Sequence, residues 1–395
     1  MNYPLISEYI ESIKLAEDNF DELSYLRPVL DADGQPVMSG GNFAVVFKMK
    51  DERDGKLYAV KCFIKEQEGR AESYKLIADE LEFVSSNYLT PIKYLEKELF
   101  VDTRNSDETE FPILLMDWVE GKTLDKYLRE NLDDRYALEI LAYRFSQLAQ
   151  WLMPQPFAHG DLKPDNILVR EDGTIVLVDY DGMYVSAMKG QKARELGSPD
   201  FRHPSRTEDD FHEHIDDFSL VSILLSLKAI SVNPTLLEEY GAKDRLLFSE
   251  KDYRTISECK KTSKLLTCND FDISRLVGLF LLANTERDLS NVSFKLLYVV
   301  KPQKKTIPSL KCVEKEESDS QDDAASILQR IMNERDANFF YNAAIHYFRG
   351  IGMPQDYTEA LKCLNQAEDL GGKEMKEKCL QLRNSIIAQM ADGNH

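Results

Sequence analysis

Basic residues are scarce beside acidic ones in this 395-residue chain, 49 Lys and Arg against 69 Asp and Glu, for a formal charge of −20. A polyanionic partner needs a basic footprint, so nucleic acid is excluded and an anionic membrane surface is disfavoured on the same ground. Cysteine is sparse as well. The six, Cys62, Cys259, Cys268, Cys312, Cys363 and Cys379, show no CxxC or knuckle spacing. That argues against zinc and a disulfide framework and fits a reducing, cytoplasmic setting. Long apolar runs are missing. The strongest, Leu276 to Ala283, is bracketed by Arg275 and Arg287, and Met1 to Glu11 lacks a basic region followed by an apolar one. Neither a membrane span nor a signal peptide is expected.

What is present suits a globular protein: 43% hydrophobic and 30% charged residues leave little room for long disorder. The length exceeds what one core usually supports, so a two-lobed body with an appendage is expected. Three strands are legible at Pro36–Gly40, Phe43–Met49 and Leu57–Phe63, with a turn at Asp54-Gly55. A helix follows over Ala71–Val84, where Tyr74, Ile77 and Leu81 share a face. Strands near Leu89–Leu95 and Pro112–Trp118 complete a sheet-rich half, after which helices dominate. Asp217 to Ile230 is apolar nearly all round and reads as a central buried helix.

Moving a phosphoryl group asks little covalent chemistry of a protein. It needs main chain closing over phosphates, a cation on them, oxygen ligands for a metal, and a group that positions the nucleophile. Each has a candidate here. Ser39-Gly40-Gly41-Asn42-Phe43-Ala44-Val45-Val46 lies between two strands, where glycine lets main chain approach phosphate, although a plain glycine hairpin has the same appearance. Lys61, in Tyr58-Ala59-Val60-Lys61, ends the next strand. Its carboxylate partner is expected on the following helix, Glu72 preferred over Glu80. The most specific segment is His159-Gly160-Asp161-Leu162-Lys163-Pro164-Asp165-Asn166, running into the apolar Ile167-Leu168-Val169. Asp161 would orient a substrate hydroxyl, Lys163 would neutralise the transferring group, and Asn166 would hold a metal. Thirteen positions later, Val178-Asp179-Tyr180-Asp181-Gly182 offers Asp179 as a second metal ligand, with Asp181-Gly182 read as a turn.

This ordered set resembles the eukaryotic-like (Hanks-type) protein kinases over residues 30–300. The resemblance implies an α+β, bilobal kinase fold, ATP with Mg²⁺ or Mn²⁺, and a protein serine or threonine as acceptor. It makes Met116 the gatekeeper and Asp117, Trp118 and Val119 the adenine-contacting hinge, with Gly40, Gly41, Val46, Ala59, Lys61 and Leu168 also around the nucleotide. Gly197 to Pro204 looks like the family's peptide-docking segment and Asp216 to Leu220 like its central helix start. The Asp-Tyr-Asp-Gly-Met wording is similar to a bacterial subgroup. Four positions depart from the family: Ser39 and Ala44 replace loop glycines, Gly160 replaces an arginine, and Ser205 stands where a glutamate anchors the docking segment. Two alternatives follow from them, a pseudokinase scaffold and, from His-Gly-Asp, a small-molecule phosphotransferase.

The division expected is an N-terminal helical extension over 1–30, the kinase domain over 31–300, a linker over 301–322 and a helical tail over 323–395. Ala337, Tyr347, Gly350, Gly352, Asp356, Ala360, Ala367 and Gly371 make the tail resemble a Sel-one-like repeat, which implies a partner protein. His212-Glu213-His214, lacking further partners, reads as surface rather than as a metal site.

Overall fold

The computed structural model describes residues 2–82, 84, 86–287, 289–303, 337–338, 340–345, 347–349 and 355–392. They fall into two compact units, Met1–Lys304 and Lys305–His395. Most of the expected linker at 301–322, together with Gly350 and Gly352, lies outside the described residues.

The first unit begins with α1 (Ile6–Lys14) and α2 (Ala16–Asn19), then β1 (Leu26–Pro28), β2 (Met38–Gly40), β3 (Ala44–Asp51), β4 (Leu57–Phe63), α3 (Arg70–Glu82), β5 (Ile92–Phe100) and β6 (Glu110–Asp117). The six strands pair antiparallel in the order β1-β3-β4-β6-β5, with β2 on β3. Alternation explains how this sheet is sandwiched. Val45, Phe47 and Met49 of β3, with Val60 and Cys62 of β4, pack with Tyr9, Ile13 and Ala16 from the amino-terminal helices. Ala44 and Phe63 instead join Tyr74 and Ile77 of α3 in the larger core. The amino-terminal extension is therefore part of the sheet's packing. Tyr9 is fully buried and its hydroxyl donates to the Phe63 carbonyl at 2.7 Å, while the Ser12 hydroxyl donates to the Phe100 carbonyl.

The helical half comprises β7 (Lys122–Thr123), α4 (Leu124–Glu130), α5 (Arg135–Leu152), β8 (Ile167–Val169), β9 (Ile175–Leu177), α6 (Asp217–Val232), α7 (Thr235–Tyr240), α8 (Glu250–Arg254), α9 (Lys260–Leu266) and α10 (Phe271–Glu286). Asp134 caps α5 by accepting from the Ala137 amide at 3.0 Å. α5 then buries Leu138, Leu141, Ala142, Phe145, Leu148, Ala149 and Leu152 along one stripe. Each such leucine or phenylalanine contributes roughly 1.5–3 kcal/mol of burial. α6 is buried on every face except at Lys228 and Val232. Its hydroxyls at Ser219, Ser222, Ser226 and Ser231 are all hydrogen-bonded, which removes the cost of burying them. The architecture is the α+β, two-lobed one expected.

In the second unit, the described helices Tyr357–Leu370 and Lys373–Asp392 pack through Ala360, Leu364 and Ala367 against Met375, Cys379 and Ile386. Asp356 caps the first helix, accepting from the Thr358 and Glu359 amides. The turn between them is tight, since a Cβ on Gly371 would lie 2.5 Å from the Met375 side chain. No helix among the described residues is long and apolar enough to cross a membrane.

Candidate active site

Lys61, two residues before the end of β4, is cross-paired with Val46 on one side and Leu114 on the other, and its side chain emerges where the sheet meets the helical half. There it is nearly buried, with Nζ donating to Asp179 Oδ1 at 2.8 Å, Asp181 Oδ1 at 2.7 Å and the Tyr74 hydroxyl at 3.3 Å. Burial opposes the charged ammonium, but the two carboxylates more than offset it and hold the Lys61 pKa above the usual lysine value. Burial would likewise raise the Asp179 carboxyl, yet the charge and hydrogen bond of Lys61 keep it below the usual carboxylate range.

The expected Lys61–Glu72 pair does not form. The buried face of α3 is Arg70, Ser73, Tyr74, Ile77 and Leu81, and this spacing turns Glu72 outward, where it is exposed. Glu80 is not a partner of Lys61 either. The helix presents Tyr74 to the lysine, and the carboxylates come from the segment after β9.

Tyr180 points inward, fully buried, its hydroxyl accepting from the Thr90 amide at 2.9 Å and donating to the Leu177 carbonyl at 3.1 Å. Asp179 and Asp181, on either side of it in the chain, both turn to Lys61. Asp179 adopts a φ of 69°, a conformation a non-glycine residue takes only when its surroundings compel it.

Asp161 lies on the loop between α5 and β8, only 9% exposed. Its Oδ2 accepts from Lys163 Nζ at 2.7 Å and Asn166 Nδ2 at 3.1 Å. Its Oδ1 accepts from the Ser198 amide at 2.8 Å and hydroxyl at 3.3 Å. Four donors fix the carboxylate plane, one of them a serine hydroxyl. Burial opposes the charge of Lys163, but the hydrogen bond to Asp161 raises its pKa.

Residues that sequence reasoning left without a role hold the loop in place. The buried Asp216 accepts from the amides of His159 and Gly160, and His159 Nε2 bonds the Val178 carbonyl at 3.0 Å, which ties the Asp161 loop to the Asp179 segment. Arg206 donates to the Gly160 carbonyl at 2.8 Å. The docking segment, which lacks its family glutamate at Ser205, is anchored instead by His203, whose Nε2 meets the Asn284 carbonyl of α10 at 3.0 Å. Ser219 of α6 adds a bond to the Phe201 carbonyl at 2.6 Å.

Around the positions expected to meet a nucleotide, Ala59 pairs with Met116 and Tyr58 with Asp117 across β4 and β6, and Asp117 is held by Lys56 at 2.7 Å. Val46, Met116 and Leu168 are half-buried and Ala59 and Val119 buried, giving an apolar surround. Gly40 and Gly41 have ordinary φ. A Cβ would meet nothing at Gly40 and only the Ala44 carbonyl, at 3.5 Å, at Gly41. The fold itself does not require glycine there.

A divalent cation can be fitted only with help. Among the described residues no three His, Cys, Asp or Glu side chains gather into a metal cage. Asn166 spends its Nδ2 on Asp161 and keeps Oδ1 as an acceptor, and with Asp179 it could offer two hard oxygen ligands. Mg²⁺ is commonly held in this way, by one or two carboxylates together with substrate phosphates. Next to Lys163, a cavity of 380 Å³ is lined by Asp165, Ser198, Asp200, Phe201 and Lys243 among others, giving room for an extended acceptor beside Asp161.

A family model described as protein kinase domain matches residues 36–264. The serine/threonine-protein kinase AtPK1/AtPK6 of Arabidopsis thaliana is 23% identical over 249 residues, covering 60% of this chain and 50% of that protein. AtPK2/AtPK19 of the same plant is 24% identical over 247 residues, 60% of this chain and 49% of its own. The Aurora kinase of Yarrowia lipolytica is 27% identical over 185 residues, 46% of this chain and 47% of its own. The chain spans about half the length of these relatives.

Proposed function

This chain belongs to the protein kinase domain family, and from that premise we propose that it is a serine/threonine protein kinase using ATP and Mg²⁺ or Mn²⁺. The observation that carries the reading is the fixed carboxylate of Asp161, one oxygen shared with Lys163 and Asn166 and the other within reach of a serine hydroxyl. ATP supplies the phosphoryl group, and the bound cation neutralises charge on its oxygens. Asp161 takes the acceptor's hydroxyl proton and aims its oxygen. Lys163 sits on that same carboxylate and stabilises negative charge arriving beside it. Lys61 binds the non-transferred phosphates, and Asn166 and Asp179 hold the cation. Gly40 and Gly41 close main chain over the phosphates, while Val46, Ala59, Met116, Asp117, Val119 and Leu168 surround the base. A protein acceptor is favoured over a small molecule by the packed Gly197–Pro204 segment, which delivers Ser198 to Asp161.

Removing the Asp179 carboxylate tests the cation assignment. Nucleotide affinity of the parent should rise on adding Mg²⁺, and in Asp179→Ala titration calorimetry should find affinity indifferent to the metal. Metal-independent ATP binding in the parent would favour a scaffold without turnover.

The kinase reading extends to a bacterial-type, cytoplasmic enzyme whose domain runs over 31–300, with the tail from 323 a Sel-one-like helix pair that recruits a partner protein. Tyr341 and Tyr347 pack against the tail's small core and add an aromatic side suited to such contact. A chain shortened to residues 1–303 should phosphorylate a generic protein within about twofold of the full chain, yet lose selective phosphorylation in an extract, because tethering raises effective concentration. If shortening instead lowered melting temperature and the generic rate together, with targets unchanged, the tail would be a buttress.

A further inference from the structure

A buried ammonium must keep a carboxylate through every step of turnover, since stripping a partner from a buried ion pair leaves an uncompensated charge. Lys61 has two, and they differ. The Asp179 side chain is 44% exposed, whereas that of Asp181 is 12% exposed and at 2.7 Å from Nζ. On the helix side the contact is the neutral Tyr74 hydroxyl, and the inward face of α3 carries no carboxylate.

We propose that Asp181 is the positioning residue of Lys61, taking the part that a helix glutamate would otherwise play and freeing the more exposed Asp179 to bind the cation. This rests on the reading of Lys61 as the phosphate-binding lysine. Both aspartates reach the one Lys61 Nζ, while Tyr180 between them is buried and pinned to Thr90 and Leu177, which fixes the segment they stand on. When Asp179 turns to the cation, Asp181 remains as the carboxylate on Lys61. The lysine's place then follows the Asp179 segment and not the position of α3, so the phosphate-binding cation and the metal ligand are set as one unit.

The test is steady-state kinetics with ATP·Mg²⁺ varied, on the full chain. Asp181→Asn should lower kcat/KM for ATP roughly 10²-fold, the scale of a misplaced binding group, with KM raised as well as kcat lowered. Asp181→Glu should recover most of the loss. A purely structural role would reduce active enzyme and melting temperature while leaving KM where it was. KM within twofold of the parent in Asp181→Asn, no recovery with Asp181→Glu, or an equal loss in Glu72→Gln would each overturn the proposal. If Asp181→Asn does not fold, the parent bound to Mg²⁺ and a non-hydrolysable ATP analogue decides. Asp181 on Lys61 with Asp179 on the metal supports the assignment, and Glu72 on Lys61 refutes it. A parent protein with no turnover overturns the kinase reading, and this inference with it. An active parent with an unaffected Asp181→Asn overturns this inference alone.

Discussion

Asp161→Asn should lower turnover about 10³-fold, some 4 kcal/mol in barrier, while nucleotide affinity stays within about twofold. Both carboxylate oxygens are committed acceptors, Oδ2 to Lys163 and Asn166 and Oδ1 to Ser198. An asparagine keeps one oxygen and replaces the other with an amide donor, so whichever way it turns one pair of donors is left facing a donor. It also has no carboxylate to accept the hydroxyl proton. Nucleotide binding is spared because Lys61 of β4 pairs with Asp179 and Asp181 rather than with Asp161. Steady-state kinetics paired with calorimetric titration of ADP·Mg²⁺ separates the two effects. Near-normal turnover in the variant would remove Asp161 from the chemistry.

Gly160→Ala should unfold readily and be inactive even where folded. Gly160 has a φ of 81°, and a Cβ built on it would lie 1.9 Å from the Gly182 carbonyl oxygen. Left-handed strain and the forced backbone shift together cost about 4 kcal/mol, which lowers melting temperature by roughly 10 °C. The shift would also disturb the amide bond from Gly160 to Asp216 and the Arg206 bond to its carbonyl, both of which hold the Asp161 loop. Thermal unfolding checks it, and a variant as stable as the parent would mean the two loops do not approach so closely. The same contact explains why no arginine precedes Asp161, since a side chain there has no space.

How far these residues could be read from the sequence depended on whether the signal was local. β4 matches its expected bounds and β3 lies within two residues of them, because apolar alternation and the Asp54-Gly55 turn are local features. β1 escaped notice, being three residues that include a proline. That Glu72 faces away from Lys61 in this structure also has a local signal. Tyr74, Ile77 and Leu81 already marked the inward face, and two helical steps place Glu72 roughly 200° away from Tyr74. Asp181 looked like half of an Asp-Gly turn, and only its two-residue spacing from Asp179, with a tyrosine between, hinted that both would face one partner. The Gly160–Gly182 approach and the His203–Asn284 anchor join residues far apart in sequence, so no spacing could reveal them. The order of Lys61, Asp161, Lys163, Asn166 and Asp179 was legible because a short loop and two flanking strands carry most of it.

The most direct measurement is transfer itself. Purified protein of residues 1–395, γ-labelled ATP, Mg²⁺ and a generic protein acceptor are incubated beside the Asp161→Asn variant, and the labelled amino acids are identified. Label is expected on serine or threonine of the acceptor, dependent on the metal and reduced about 10³-fold in the variant. Nucleotide binding without any transfer, or label reaching small molecules while proteins stay unlabelled, would contradict the kinase reading.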